Sequence, residues 1–121
     1  MSGQSREAAI VGIHEYPSRD VEGEVSPLQI KAECAEKALA DAGLTWQDVD
    51  GLYDAGEAGG MAAGLTMAEY FGLKPSVIDT TNVGGTSYEY HAAHARRDIA
   101  AGKCRVALMT YGSTAPRNAT A

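Results

Sequence analysis

Short apolar runs separated by segments with helical punctuation constrain this chain more than any other feature. The runs occupy residues 8–13, 76–79 and 104–111, and residues 49–54 read as a turn into a further strand. Continuous apolar runs of this length suit strands buried on both faces, as in a parallel sheet. Between them the sequence predicts helices over 26–43, 65–72 and 86–102. The order is β-α-β-α-β-α-β. Helical crossovers between apolar strands give an α/β fold: a mainly parallel sheet with helices on both faces.

The first helix has the sharpest ends. Ser26 is the N-cap, Pro27 takes the first helical position, and Gln29 completes a capping box. Val25 and Ile30 are placed for a hydrophobic staple. Leu28, Ala32, Ala35, Leu39 and Ala42 form an apolar stripe. Gly43 fits a left-handed C-terminal residue, with Leu44 folding back onto Leu39. Thr45 caps a short turn over 45–48, and Gly72 ends the helical segment 65–71. The last helix runs from Thr86 to about Ala101, with Gly102 as its stop and Tyr88, Ala92, Ala95 and Ile99 as its apolar face.

The chemistry concentrates where the third strand enters that helix. The stretch 79–89 reads DTTNVGGTSYE. Thr86 and Glu89 have capping-box spacing. Gly84 and Gly85 let a ligand approach the backbone at the positively polarised start of a helix. A carbonyl, thioester or carboxylate oxygen suits that position. Ser87 and His91 are spaced to touch, but Tyr88 follows the serine, so the G-x-S-x-G elbow of a hydrolase is missing. His91 and His94 can share a helix face without a third metal ligand in view. His14 follows the first apolar run as a possible acid or base. The glycine-rich loop 55–64 lacks the GK[ST] of a phosphate loop. Cys34 and Cys104 form no CxxC or metal spacing and read as packing residues.

Composition excludes some partners. The 121 residues suit one domain or part of one, and a net charge of −6 without a Lys/Arg stripe argues against nucleic acid and anionic membrane. No apolar run is long enough to span a bilayer. The first residues lack the apolar core of a signal peptide, which gives a cytoplasmic chain with reduced thiols as the expectation.

Several stretches in this order resemble the N-terminal part of the thiolase superfamily, closest to its sterol-carrier-protein/lipid-transfer thiolase-like branch. They are AAIVGI at 8–13, ALADAGL at 38–44 with DVDGL at 48–52, NVGGTS at 82–87, and IAAGKCRVAL at 99–108. The resemblance implies a thiolase-like fold of which residues 1–121 are the N-terminal portion, a fragment of a longer chain. Such proteins have two similar halves in five layers and usually dimerise. In thiolases the turn reads Asn-x-x-Cys-x-Ser-Gly, and its cysteine takes the acyl group. Asn82 and Ser87 match, whereas Gly85 stands at the nucleophile position and Tyr88 at the final glycine.

A glycine cannot be acylated, so a two-step reaction through an acyl-cysteine is not expected. Cysteine-lacking relatives include retro-aldolases that cleave a β-hydroxyacyl-CoA with a small OB-fold partner. The resemblance thus implies an acyl-CoA-handling protein, with the coenzyme A thioester as substrate and no other cofactor or metal. The site comprises Asn82, Gly84 and Ser87 for substrate binding and Gly85, Tyr88 and His91 at the reacting centre. Tyr90 is a second candidate for moving a proton. Three alternatives stand beside it: a non-catalytic subunit binding an acyl-CoA or lipid, a conventional acyltransferase using groups outside this chain, and, for these 121 residues alone, a fragment with no activity of its own. A homodimer or a heteromer with an OB-fold protein is the implied assembly.

Overall fold

A computed structural model describes residues 7–17, 26–55, 63–84 and 86–112. Val25 of the expected staple, most of the glycine-rich loop, Gly85 and the closing segment 115–121 lie outside the described residues. The elements are α1 (Pro27–Ala42), a 3-10 turn (Trp46–Asp48), β1 (Gly51–Asp54), α2 (Ala63–Phe71), β2 (Val77–Asp79), α3 (Ser87–Ala100) and β3 (Ala107–Thr110). The strands form a 3-stranded parallel sheet in the order β2-β1-β3. The chain is therefore α/β, as the apolar runs and crossovers indicate.

Local signals set the ends of the helices. At α1 the Ser26 hydroxyl accepts from the Gln29 N–H at 3.1 Å, and the Gln29 side chain accepts from the Ser26 N–H at 2.7 Å. Gly43 closes the helix at φ 74°, and the Leu44 N–H donates to the Leu39 carbonyl at 2.8 Å. Gly72 and Gly102 end α2 and α3 in the same left-handed way, at φ 70° and 77°. At the 3-10 turn Asp48 reaches back to the Thr45 N–H at 2.8 Å. At α3, by contrast, the Thr86 side chain makes no capping bond, so the expected box with Glu89 does not form. Ser87 takes over, bonding the Val83 N–H and the Gly84 carbonyl.

The strand residues alternate between two helix layers. Leu52 and Leu108 face α1 and α2, packing with Ala35, Leu39, Met67 and Ala68 into the apolar core. Tyr53 points the other way, towards α3. Asp50, just before β1, binds the start of the third strand: its carboxylate accepts from the N–H groups of Arg105 and Val106 at 2.8–3.0 Å. That clamp fixes the β1–β3 register at the amino edge.

Residues 8–13 depart from the expectation. They are not a strand; Ile10, Val11 and Ile13 are exposed, at 86%, 62% and 72%. The segment lies along α1 instead. Gly12 sits so close that a Cβ would come within 2.2 Å of the Ala38 carbonyl oxygen, and the Ile13 N–H donates to Asp41 at 3.2 Å. An apolar run becomes a strand only when a sheet edge receives its backbone groups, and here a helix side chain takes one of them. The fold thus shows three strands among the described residues where the sequence suggests four.

No helix among the described residues is long and apolar enough to cross a membrane.

Candidate functional site

The inward face of α3 is polar. Its buried residues are Ser87, His91, Ala95 and Asp98. The stripe expected from hydrophobicity is displaced by one position: Ala92 is exposed, Tyr88 and Ile99 are half-buried, and only Ala95 is shared. Apolar periodicity missed the face because Ser87, Asp98 and His91 Nε2 find hydrogen-bond partners inside the fold rather than in water.

Ser87 holds the corner between β2 and α3. Its hydroxyl donates to the Gly84 carbonyl at 2.6 Å and accepts from the Val83 N–H at 2.9 Å. Gly84 adopts φ 88°, and its N–H donates to the Asn82 side chain at 3.3 Å. Three of the expected binding residues, Asn82, Gly84 and Ser87, therefore meet in one turn, with the Ser87 hydroxyl engaged in bracing it. Gly85 lies outside the described residues. A Cβ at Gly84 would meet nothing within 4 Å, so strain there is purely conformational. Gly84→Ala should cost roughly 1–2 kcal/mol, the penalty of a left-handed non-glycine residue. Chemical denaturation would measure it; an unchanged midpoint would mean that the turn does not require this conformation.

One turn further into α3 is His91, fully buried, with Nε2 2.9 Å from the Thr81 carbonyl oxygen. Tyr88 stands edge-on to the imidazole at 5.2 Å and to Tyr111 at 5.6 Å. Two of the expected reacting-centre residues, Tyr88 and His91, are thus in contact beside the corner. Tyr90 is half-exposed and packs near His94 instead.

Sequence reasoning missed the network behind His91. Asp79, the last residue of β2, accepts from the Thr81 N–H and hydroxyl at 2.9 and 2.7 Å through one oxygen. Its other oxygen accepts from His94 Nδ1 at 2.7 Å. Burial opposes ionisation of Asp79, but the Thr81 and His94 hydrogen bonds outweigh it and hold the carboxyl below its usual 3.8. Its stabilising contribution is therefore complete above that value and is lost as pH falls through the lower folded one. Asp79→Asn should flatten the fall of unfolding free energy below about pH 4. Urea titrations at successive pH values would check this; superimposable wild-type and variant profiles would contradict it. A strand-ending Asp followed by Thr two residues later was the available signal, since that spacing suits an Asx turn.

A second buried cluster joins the other two strand ends. Lys31 Nζ lies 2.6 Å from Asp54, both side chains fully buried, and the Thr110 hydroxyl donates to the same carboxylate at 2.9 Å. Gly112 lets the chain after β3 press against α1: a Cβ there would come within 2.7 Å of the Pro27 carbonyl oxygen. A lysine on the inner side of an apolar helix was the sequence signal for a buried acidic partner.

Neither thiol is at the corner. Cys34 is on α1. Cys104 precedes β3, with its sulfur 3.7 Å from the Tyr53 hydroxyl, which also donates to Asp98 near the far end of α3. Burial raises the pKa of both thiols, with Glu33 adding to the effect at Cys34. A separate open groove of about 520 Å³ runs between α1 and α2, lined by Glu33, Glu36, Trp46, Tyr70 and Phe71 among others. Its carboxylates suit a cation better than the phosphates of coenzyme A. His14 is exposed.

No family model matches this chain, and no curated protein matches it.

Proposed function

We propose that this chain handles acyl-CoA thioesters in a thiolase-like fold and takes part in carbon–carbon bond cleavage of the retro-aldol type, without an acyl-cysteine. The observation that carries this reading is a tight strand-to-helix corner with both thiols elsewhere and a buried imidazole beneath it. The parallel sheet also places that corner beyond the carboxyl end of β2, the side on which open α/β sheets hold ligands.

The reaction needs no covalent intermediate. A base removes the β-hydroxyl proton, and the Cα–Cβ bond breaks as the carbonyl of a ketone or aldehyde forms. The electron pair passes to the thioester as an enolate, which takes up a proton at Cα. Asn82 and Gly84 border the thioester's place, while Tyr88 and His91 are the groups able to move protons. The site operates in the cytosol, within a homodimer or beside a small OB-fold protein.

The test exposes the purified protein to an acyl-CoA and follows two signals. The thermal midpoint should rise with thioester concentration, since a ligand that binds only the folded state stabilises it. The intact mass should stay that of the free chain. An added acyl mass would contradict the reading. A thermal midpoint indifferent to the thioester would contradict it equally.

A further inference from the structure

We propose that Nδ1 of His91 is the atom that accepts the substrate's hydroxyl proton; the inference rests on the retro-aldol reading above. A carbonyl oxygen can only accept a hydrogen bond, so the contact with Thr81 requires His91 Nε2 to carry the hydrogen. In the neutral imidazole Nδ1 is then the lone-pair nitrogen. It is buried and has no hydrogen-bond partner among the described residues. A buried acceptor left unpaired is costly, and such groups in folded proteins call for an explanation. A ligand hydroxyl supplies the missing donor.

The surroundings fit a base better than a structural histidine. Thr81 fixes the tautomer and ring plane, as an orienting acceptor does for a catalytic imidazole. Thr81 is in turn held through its N–H and hydroxyl by Asp79, which also binds His94. Asp79 and Thr81 are positioning residues in this scheme. The rings of Tyr53 and Tyr88 flank the imidazole at 6.2 and 5.2 Å. Of the two rings, Tyr53 is fully buried and Tyr88 half-buried.

The proton balance closes on this one nitrogen. Nδ1 takes the hydroxyl proton as the Cα–Cβ bond breaks, giving an imidazolium that still donates from Nε2 to Thr81. After the carbonyl product departs, the same proton passes from Nδ1 to Cα of the enolate. The thioester leaves one ketone shorter, the imidazole is neutral again, and no oxidant or second reactant is needed.

The experiment uses protein with 15N-labelled histidine and two probes: 3-hydroxy-3-methylbutanoyl-CoA and 3-methylbutanoyl-CoA, which lacks the hydroxyl. Nitrogen NMR should show His91 with the hydrogen on Nε2. Its Nδ1 resonance should shift with the hydroxylated probe and not with the other. A hydrogen on Nδ1, or equal responses to the two probes, would overturn the proposal. His91→Gln keeps an amide donor for Thr81 and deletes the base. It should lower acetone release from the hydroxylated probe by about 10²–10⁴-fold, the usual contribution of a general base. Undiminished release from that variant would overturn the assignment while leaving the retro-aldol reading intact. If the wild-type protein releases no acetone, that reading fails instead, and the hydroxyl-specific shift alone decides whether Nδ1 accepts a ligand hydroxyl. The wild-type spectra decide the matter should the Gln variant not fold.

Discussion

Asp54→Ala should destabilise the protein by about 3–5 kcal/mol, because it removes the carboxylate paired with a buried ammonium. Lys31 and Asp54 are both fully buried and 2.6 Å apart. The same change strips the Thr110 hydroxyl of its acceptor. The effect reaches all three elements that meet there, since Lys31 comes from α1, Asp54 from β1 and Thr110 from β3. The pair is costly to break but not correspondingly valuable to have. Removing two charges together avoids the uncompensated ion, and such replacements are often neutral. Lys31→Met with Asp54→Asn retains an acceptor for Thr110 and should recover most of the loss. Urea unfolding of the single and double variants measures both. A single variant within about 1 kcal/mol of wild type would mean that water reaches the cluster and that the charges are not buried in solution.

Tyr53→Phe should cost about 1.5–3 kcal/mol, the range for a hydrogen bond to a charged group. The Tyr53 hydroxyl donates to Asp98 at 2.7 Å, and both side chains are buried. Burial first, and then the bond to Asp98, push the tyrosine pKa far upward, so it stays a donor. For Asp98 the leading influence is the Arg97 guanidinium, which together with Tyr53 holds the carboxyl below its usual value against burial. Arg97 is largely exposed, so its pairing is screened by solvent and cannot replace the buried donor. Asp98→Asn keeps an acceptor for the hydroxyl and should cost less than the phenylalanine variant. Equal stability of Tyr53→Phe and wild type would show that this bond is exchanged evenly for one to water.

The helix boundaries were legible because their causes are local. Ser26, Pro27 and Gln29 act within one turn, and Gly43, Gly72 and Gly102 each supply a left-handed residue where the chain must leave a helix. The parallel order of the central strands followed from apolar runs separated by those helices. What failed to show were pairings between distant residues. The run at 8–13 has strand composition, but the Asp41 carboxylate and the close approach to Ala38 decide its place. The polar inner face of α3 could not be read from periodicity, because Asp98 owes its burial to Tyr53, and His91 owes its place to Thr81. At the site, the glycine turn into α3 was visible in the residues themselves, whereas Asn82 and Ser87 were named through the thiolase resemblance. The bracing role of Ser87 displaced the cap expected of Thr86, and Asp79 and His94 emerged only once the strand end and the helix were side by side.

The most direct measurement is product analysis after mixing the protein with 3-hydroxy-3-methylbutanoyl-CoA. Acetone and acetyl-CoA should appear in equal amounts while the protein keeps its unmodified mass. An acylated protein, or a thioester recovered whole, would contradict it.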